Sequence, residues 1–191
     1  MRKWIAPAAL CLALALLPLG AQAAETGPQW GTEVQWSYDE DTYTLELTGS
    51  GPMPKGAPPC ASLSYVEKLV IGEGITSVSA GAFQDCSDLR QVSIPSSVTS
   101  IGDQAFYGCY WLTGVAFPGK LTSIGRQAFS DCGSLAAVTL PGDGISIGDG
   151  AFYNCSKLAT VTFSGTASSI GSEAFSGCGP FQCVFHRLVP L

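Results

Sequence analysis

Eight cysteines and a single histidine carry the sharpest chemistry in this 191-residue sequence. A thiol can pair in a disulfide, ligate a metal, or act as a nucleophile beside a base. Cys86, Cys109, Cys132, Cys155 and Cys178 follow one another at intervals of 23 residues. That spacing spreads the sulfurs along an axis instead of gathering them around a point, so no metal centre is expected. His186 lies beyond all five, and no Ser-His-Asp or Cys-His set can be assembled around it. No spacing selects a catalytic pair among the 15 acidic residues, and Gly142-Asp143-Gly144 reads as a turn, not a phosphate loop. The chain is therefore expected to be no enzyme and to hold no cofactor.

The second kind of chemistry is adhesive. Tyr107, Tyr110, Trp111 and Tyr153 stand in variable slots of the same 23-residue frame. Tyr107 and Tyr153 share one slot, two copies apart. Trp111 falls where other copies have Asp88, Ser134 and Lys157, which implies exposure. Exposed Trp and Tyr can grip a protein or stack on a sugar ring. The alternative is that they lie flat over the flank and shield the core. Ser93, Ala116, Thr139 and Thr162 form a small, uncharged strand face that suits a close-fitting partner.

These residues are positioned by a phrase written five times between Ile75 and about Val184. A β-branched residue and Gly are followed by two variable residues, Ala-Phe, two more, Cys, two more, and Leu. The phenylalanines are Phe83, Phe106, Phe129, Phe152 and Phe175, preceded by Ala82, Ala105, Ala128, Ala151 and Ala174. A fixed period of 20 to 30 residues signals a solenoid. In the copy Val98–Pro118, Val98 to Ile101 reads as a short strand. Gly102 supplies a positive-φ turn. Asp103 to Gly108 has the length of one helical or 3-10 turn. Val115 and Phe117 mark a second strand, ended by Pro118. Stacked coils would bring like residues into columns. These are the five Phe, the five Cys, Val78/Ile101/Ile124/Ile147/Ile170, and Leu89/Leu112/Leu135/Leu158, with Phe181 in the fifth place. A serine column, Ser77, Ser100, Ser123, Ser146 and Ser169, could satisfy backbone groups between coils. In the last copy Val184 keeps its column, but His186 takes the place of Phe163, where burial would be costly.

Residues 1–23 read as a secretory signal. Arg2 and Lys3 start it, an apolar run from Ile5 to Leu17 follows, and Ala21-Gln22-Ala23 is a cleavage site. The run is shorter than the roughly 20 residues a membrane span needs. Removing Arg2 and Lys3 from nine basic residues leaves seven against 15 acidic ones, a formal charge of −8. An acidic chain of this kind is not expected to bind nucleic acid or to insert in a membrane. Cys11 leaves with the signal, so seven cysteines remain. In a secreted protein they invite disulfides. The five-residue column is expected to hold free, buried thiols, with Cys60 and a neighbour, or Cys178 and Cys183, as oxidised pairs.

Residues 24–60 form a cap and loop. Val34, Trp36 and Tyr38, then Tyr43, Leu45 and Leu47, alternate with polar residues around Asp39-Glu40-Asp41, which predicts a β-hairpin with a solvated acidic turn. A lone hairpin is unstable, so it must cover the open end of the stack. The solenoid occupies 61–187, with a partial first coil, and 188–191 is a tail.

The phrase "VTSIGDQAFYGCYWLTGVAFP" resembles the BspA-type leucine-rich repeat of bacterial surface proteins, and the hairpin ending in "LELTGSGPMP" resembles their amino-terminal cap. The resemblance implies a mixed α/β solenoid. It would be a right-handed leucine-rich-repeat coil of short parallel strands, with one helical or 3-10 turn per repeat and an N-terminal hairpin cap. It implies a secreted or cell-surface module for adhesion and protein binding, without common catalytic residues. Protein or glycan ligands are the expected partners. The second reading is a structural spacer, or a fragment of a longer surface protein, with no ligand of its own.

Overall fold

The computed structural model of the chain describes residues 25–26, 33–55, 60, 63, 65–141, 144–179 and 182–185. The expected signal at 1–23 and the tail at 188–191 lie outside them. Strand β1 (Glu25–Thr26) pairs antiparallel with β2 (Val34–Asp39), which forms a hairpin with β3 (Thr44–Gly49). A short β4 (Gly51–Pro52) follows. The coils then alternate two kinds of strand. The first coil has β5 (Lys68–Ile71) and β6 (Ile75–Val78), and the next β7 (Gln91–Ser93) and β8 (Ser100–Ile101). They continue as β9 (Gly114–Ala116), β10 (Ser123–Ile124), β11 (Ala137–Leu140), β12 (Ile145–Ile147), β13 (Thr160–Phe163), β14 (Ala167–Ile170) and β15 (Gln182–Phe185).

Even-numbered strands from β4 to β14 make one parallel sheet. Odd-numbered strands make two ladders, β1-β2-β3-β5-β7-β9 and β11-β13-β15, with β2 the one even-numbered member. Registers such as Ile101 opposite Ile124 and Val92 opposite Val115 are one period apart, which brings like residues together. The last coil departs from that frame. Val161 faces Cys183 and Phe163 faces Phe185, an offset of 22 residues. The slip overturns the expected alignment of Val184 with Val161 and of His186 with Phe163. It sets an apolar residue, not a titratable one, opposite Phe163, as the cost of burying imidazole demands. His186 and Phe181 lie outside the described residues.

The hairpin does more than lie over the end of the stack. β3 pairs in parallel with β5, Leu45 opposite Leu69 and Leu47 opposite Ile71, so the cap extends the sheet as one more coil would. Val34, Tyr38, Leu45 and Leu47 are buried, while Tyr43 is exposed. At the tip Asp39 Oδ1 accepts from the amides of Asp41 and Thr42 at 2.9 and 3.3 Å. The Thr42 side chain first, and then these amides, hold the carboxyl below its ordinary range.

Inside, Phe83, Phe106, Phe129 and Phe152 are fully buried. Successive rings of the column, Phe175 included, stack with centroids 5.1–5.3 Å apart. The interplanar angle falls from 17° between Phe83 and Phe106 to 4° between Phe152 and Phe175. Leu89, Leu112, Leu135 and Leu158 form a second buried column. In the isoleucine column Ile170 is 47% exposed, whereas Ile147 is 1%.

None of the five copies contains the expected helical turn. The segment is a run of tight turns, because two positions per coil hold the left-handed conformation. Gly81, Gln104, Gln127, Gly150 and Glu173 occupy one; Asp85, Gly108, Asp131, Asn154 and Gly177 occupy the other. A left-handed residue breaks a right-handed helix. The amides alternate between local and inter-coil partners. Those of Ala105, Tyr107 and Cys109 bond three residues back, to Gly102, Gln104 and Phe106. Those of Gln104, Phe106 and Gly108 bond the next coil at Arg126, Ala128 and Ser130. This flank is thus a third inter-coil ladder.

Gly102 differs from expectation too. Its φ is not among the positive ones. A Cβ there would lie 2.6 Å from the Ala80 amide nitrogen, and at Gly125, Gly148 and Gly171 the clash with the coil below is as close. Glycine at this place permits backbones to touch. The backbone-directed hydroxyl ladder also sits one residue away from the serine column. Thr99 and Thr122 donate to the carbonyls of Thr76 and Thr99 at 3.3 and 2.9 Å. Ser146 and Ser169 bond each other at 2.7 Å.

Candidate interaction surface

Four of the five column thiols are free, and each does the same thing. Cys109, Cys132, Cys155 and Cys178 donate to the carbonyls of Phe83, Phe106, Phe129 and Phe152 at 3.1–3.3 Å. Each partner lies 26 residues earlier. A small, weakly donating apolar side chain is what this position accepts. Burial pushes the thiols of Cys109, Cys132 and Cys155 far above the ordinary value near 9. Such thiols are poor nucleophiles. Cys86 is the exception: it forms a disulfide with Cys60, also 26 residues earlier. The expectation of five free thiols is corrected to four. Of the two oxidised pairs considered, Cys60 with a neighbour is present, and Cys178 is free. The Cys183 side chain lies outside the described residues.

Two measurable consequences follow for the thiols. With native protein, a thiol reagent should modify Cys178, which is half-buried, well before Cys109, Cys132 or Cys155; equal rates would contradict the burial. Each buried thiol has its folded pKa above its unfolded one, so its stabilising contribution is complete below about pH 9. Above that pH the unfolded chain releases the proton first, and stability falls by about 1.4 kcal/mol per pH unit per thiol. Denaturant melts between pH 7 and 10.5 read this slope, and a Cys132→Ala variant should show a shallower one.

The four aromatic residues marked by the sequence fall into three surroundings. Tyr110 and Trp111 meet edge to face, centroids 5.3 Å apart, and are 51% and 45% exposed. Tyr110 lies over Gly133, where a Cβ would come within 2.6 Å of its ring. Tyr107 is half-buried, and the Asp131 carboxylate beside it raises its phenol pKa. Tyr153, 40% exposed, borders a shallow cavity with Arg126 and Glu173. No ring contact among the described residues joins Tyr107 or Tyr153 to the Tyr110–Trp111 pair.

Residues that the sequence reading passed over extend that pair towards the cap. The Arg90 guanidinium sits 5.7 Å from the Trp111 ring centroid, a cation–π distance. Arg90 Nε also pairs with Glu67 Oε1 at 3.3 Å, and the Tyr65 hydroxyl donates to the same oxygen at 2.8 Å. That bond raises the Tyr65 pKa. Tyr65 in turn meets Tyr43 edge to face at 4.9 Å. Tyr43, Tyr65, Glu67, Arg90, Trp111 and Tyr110 therefore form one continuous surface strip. The Glu67–Arg90 contact was open to reading, since opposite charges one period apart must meet between coils. The Arg90–Trp111 contact, 21 residues apart, was not.

A stack of parallel-stranded coils, with repeated apolar columns inside and variable polar and aromatic slots outside, defines a leucine-rich-repeat solenoid. The chain belongs to the BspA type leucine rich repeat region family, whose model matches six copies over residues 60–182. A leucine-rich cell surface protein of Faecalibacterium prausnitzii is similar in structure (TM-score 0.62, 26% identity), over 81% of this chain and 38% of that one. A leucine-rich repeat protein of Bacteroides ovatus (TM-score 0.56, 26% identity) matches over 78% of this chain and 45% of its own. One from T. pallidum (TM-score 0.56, 23% identity) shares the fold over 83% and 91%. The chain spans less than half the length of the first two. No curated protein matches the sequence.

Proposed function

We propose that the chain is a non-catalytic, surface-displayed protein-interaction module that binds through the strip centred on Arg90, Trp111 and Tyr110. The observation that carries this reading is the exposure of an Arg, a Trp and a Tyr already held against one another. These are the three residue types most enriched where binding energy concentrates. Mutual packing fixes their orientation before a partner arrives, which lowers the entropy lost on binding. The bacterial surface protein it resembles supports display outside the cell, as does the disulfide, a bond that persists in oxidising surroundings. The buried, protonated thiols support the non-catalytic part.

The test is capture of purified extracellular-matrix glycoproteins by the immobilised full chain. Trp111→Ala and Arg90→Ala should each weaken capture by about 30-fold, in line with hot-spot losses, while the unfolding midpoint stays in place. Full retention by both variants would show that the strip is not the binding surface. The rival reading, a spacer within a longer stack, draws on the partial coverage of the longer relatives. It predicts no saturable capture at all.

A further inference from the structure

The left-handed column on the flank carries a gap. Gln104 and Gln127 run up this column as an amide ladder, Gln104 Nε2 donating to Gln127 Oε1 at 3.2 Å. The next member is Gly150, and the one after it Glu173. Where the ladder would continue, there is a cavity of about 200 Å³ bordered by Arg126, Gln127, Asp149, Gly150, Tyr153 and Glu173.

We propose that this notch over Gly150 is a subsite for one neutral hexopyranose unit of a glycan. It goes beyond the protein-binding reading, because it uses no residue of the Arg90–Trp111–Tyr110 strip. A pyranose offers one apolar C–H face and a rim of hydroxyls that both donate and accept. The notch offers the matching set. Tyr153 supplies an aromatic ring, 40% exposed. The Gln127 side-chain nitrogen has no partner among the described residues, its oxygen being engaged by Gln104. Arg126 makes no ion pair among the described residues, and its guanidinium can only donate. Asp149 spends Oδ1 on the Ser172 amide at 2.8 Å, which leaves its second oxygen, with the Glu173 carboxylate, to accept. Two carboxylates against one guanidinium favour a neutral sugar over a uronic acid.

Tyr107, in the same slot two coils earlier, shows what differs in this coil. Tyr107 has the Asp131 carboxylate beside it. Glycine, Gly177, stands in the place equivalent to Asp131 for Tyr153, and glycine replaces the glutamine beside it. Both changes clear space around one ring.

The test uses the full chain, saturation-transfer NMR and titration with methyl glycosides of glucose, galactose and mannose, and with methyl glucuronide. At least one neutral glycoside should bind saturably, and the glucuronide at least about tenfold more weakly. Gly150→Gln should extend the ladder, fill the notch and abolish the signal. It should still fold, with some stability lost to a side chain at positive φ, since Gln104 and Gln127 already hold φ of 55° and 52° there. Tyr153→Ala should lose about tenfold or more in affinity without refilling the notch. Trp111→Ala should leave sugar binding unchanged, which separates this site from the protein-binding strip. Absence of binding by every neutral glycoside, equal binding of the glucuronide, or undiminished binding by Gly150→Gln or Tyr153→Ala would overturn the proposal.

Discussion

Phe129→Ala should lower the unfolding free energy by about 3–5 kcal/mol, the range for truncating a fully buried aromatic. The site leaves little room for relief. Its ring stacks between Phe106 and Phe152, with centroids 5.1 and 5.3 Å away, and Phe117 meets its edge at 5.5 Å. Removing it opens a void at the middle of the column and unpairs stacked faces above and below. Native domains hold only about 5–15 kcal/mol in total, so this change should bring the chain near the threshold of unfolding. Denaturant melts followed by far-UV circular dichroism measure it. Phe175→Ala, at a half-buried ring stacked on Phe152, should cost clearly less. Equal losses at the two positions would mean that the column does not act as the core.

Cys60→Ser should remove about 3.5 kcal/mol, the chain-entropy value for opening a loop closed across 26 residues. The bond has a simple origin in the repeat. Cys60 stands 23 residues before Phe83 and so holds the phenylalanine place of the partial first coil. In every later coil, the cysteine thiol lies against the backbone of the phenylalanine 26 residues earlier. Cys86 meets a second sulfur there instead of a ring-bearing residue, and the two join. The disulfide thus ties the start of the phenylalanine column to the start of the cysteine column. Reductant should lower the midpoint of the native chain and leave that of Cys60→Ser unchanged. A native melt indifferent to reductant would refute the stabilising role.

The contacts within the phenylalanine column lie one period apart and were legible in the sequence, whereas the disulfide spans 26 residues between two columns, and its pairing was not. When identical coils stack, residue n touches residue n + 23, so the Phe, Cys, Leu and Ile columns could be written down before any coordinates. The hairpin was legible from alternation around an acidic turn. The left-handed positions were half-legible. Asp85, Gly108, Asp131, Asn154 and Gly177 are the residue types that tolerate positive φ, although the length of the segment that each one ends predicts a helical turn.

The architecture was readable from periodicity, which dictates which side chains are neighbours along the axis. It could not determine contacts between different columns, because their offsets depend on how the coil bends within one turn. The 26-residue step from a thiol to a phenylalanine carbonyl, the approach of Arg90 to Trp111, the one-residue slip that aligns Phe185 with Phe163, and the notch over Gly150 all arise there. Tertiary structure decided them, because they depend on backbone turns whose handedness is selected by hydrogen bonds from coil to coil.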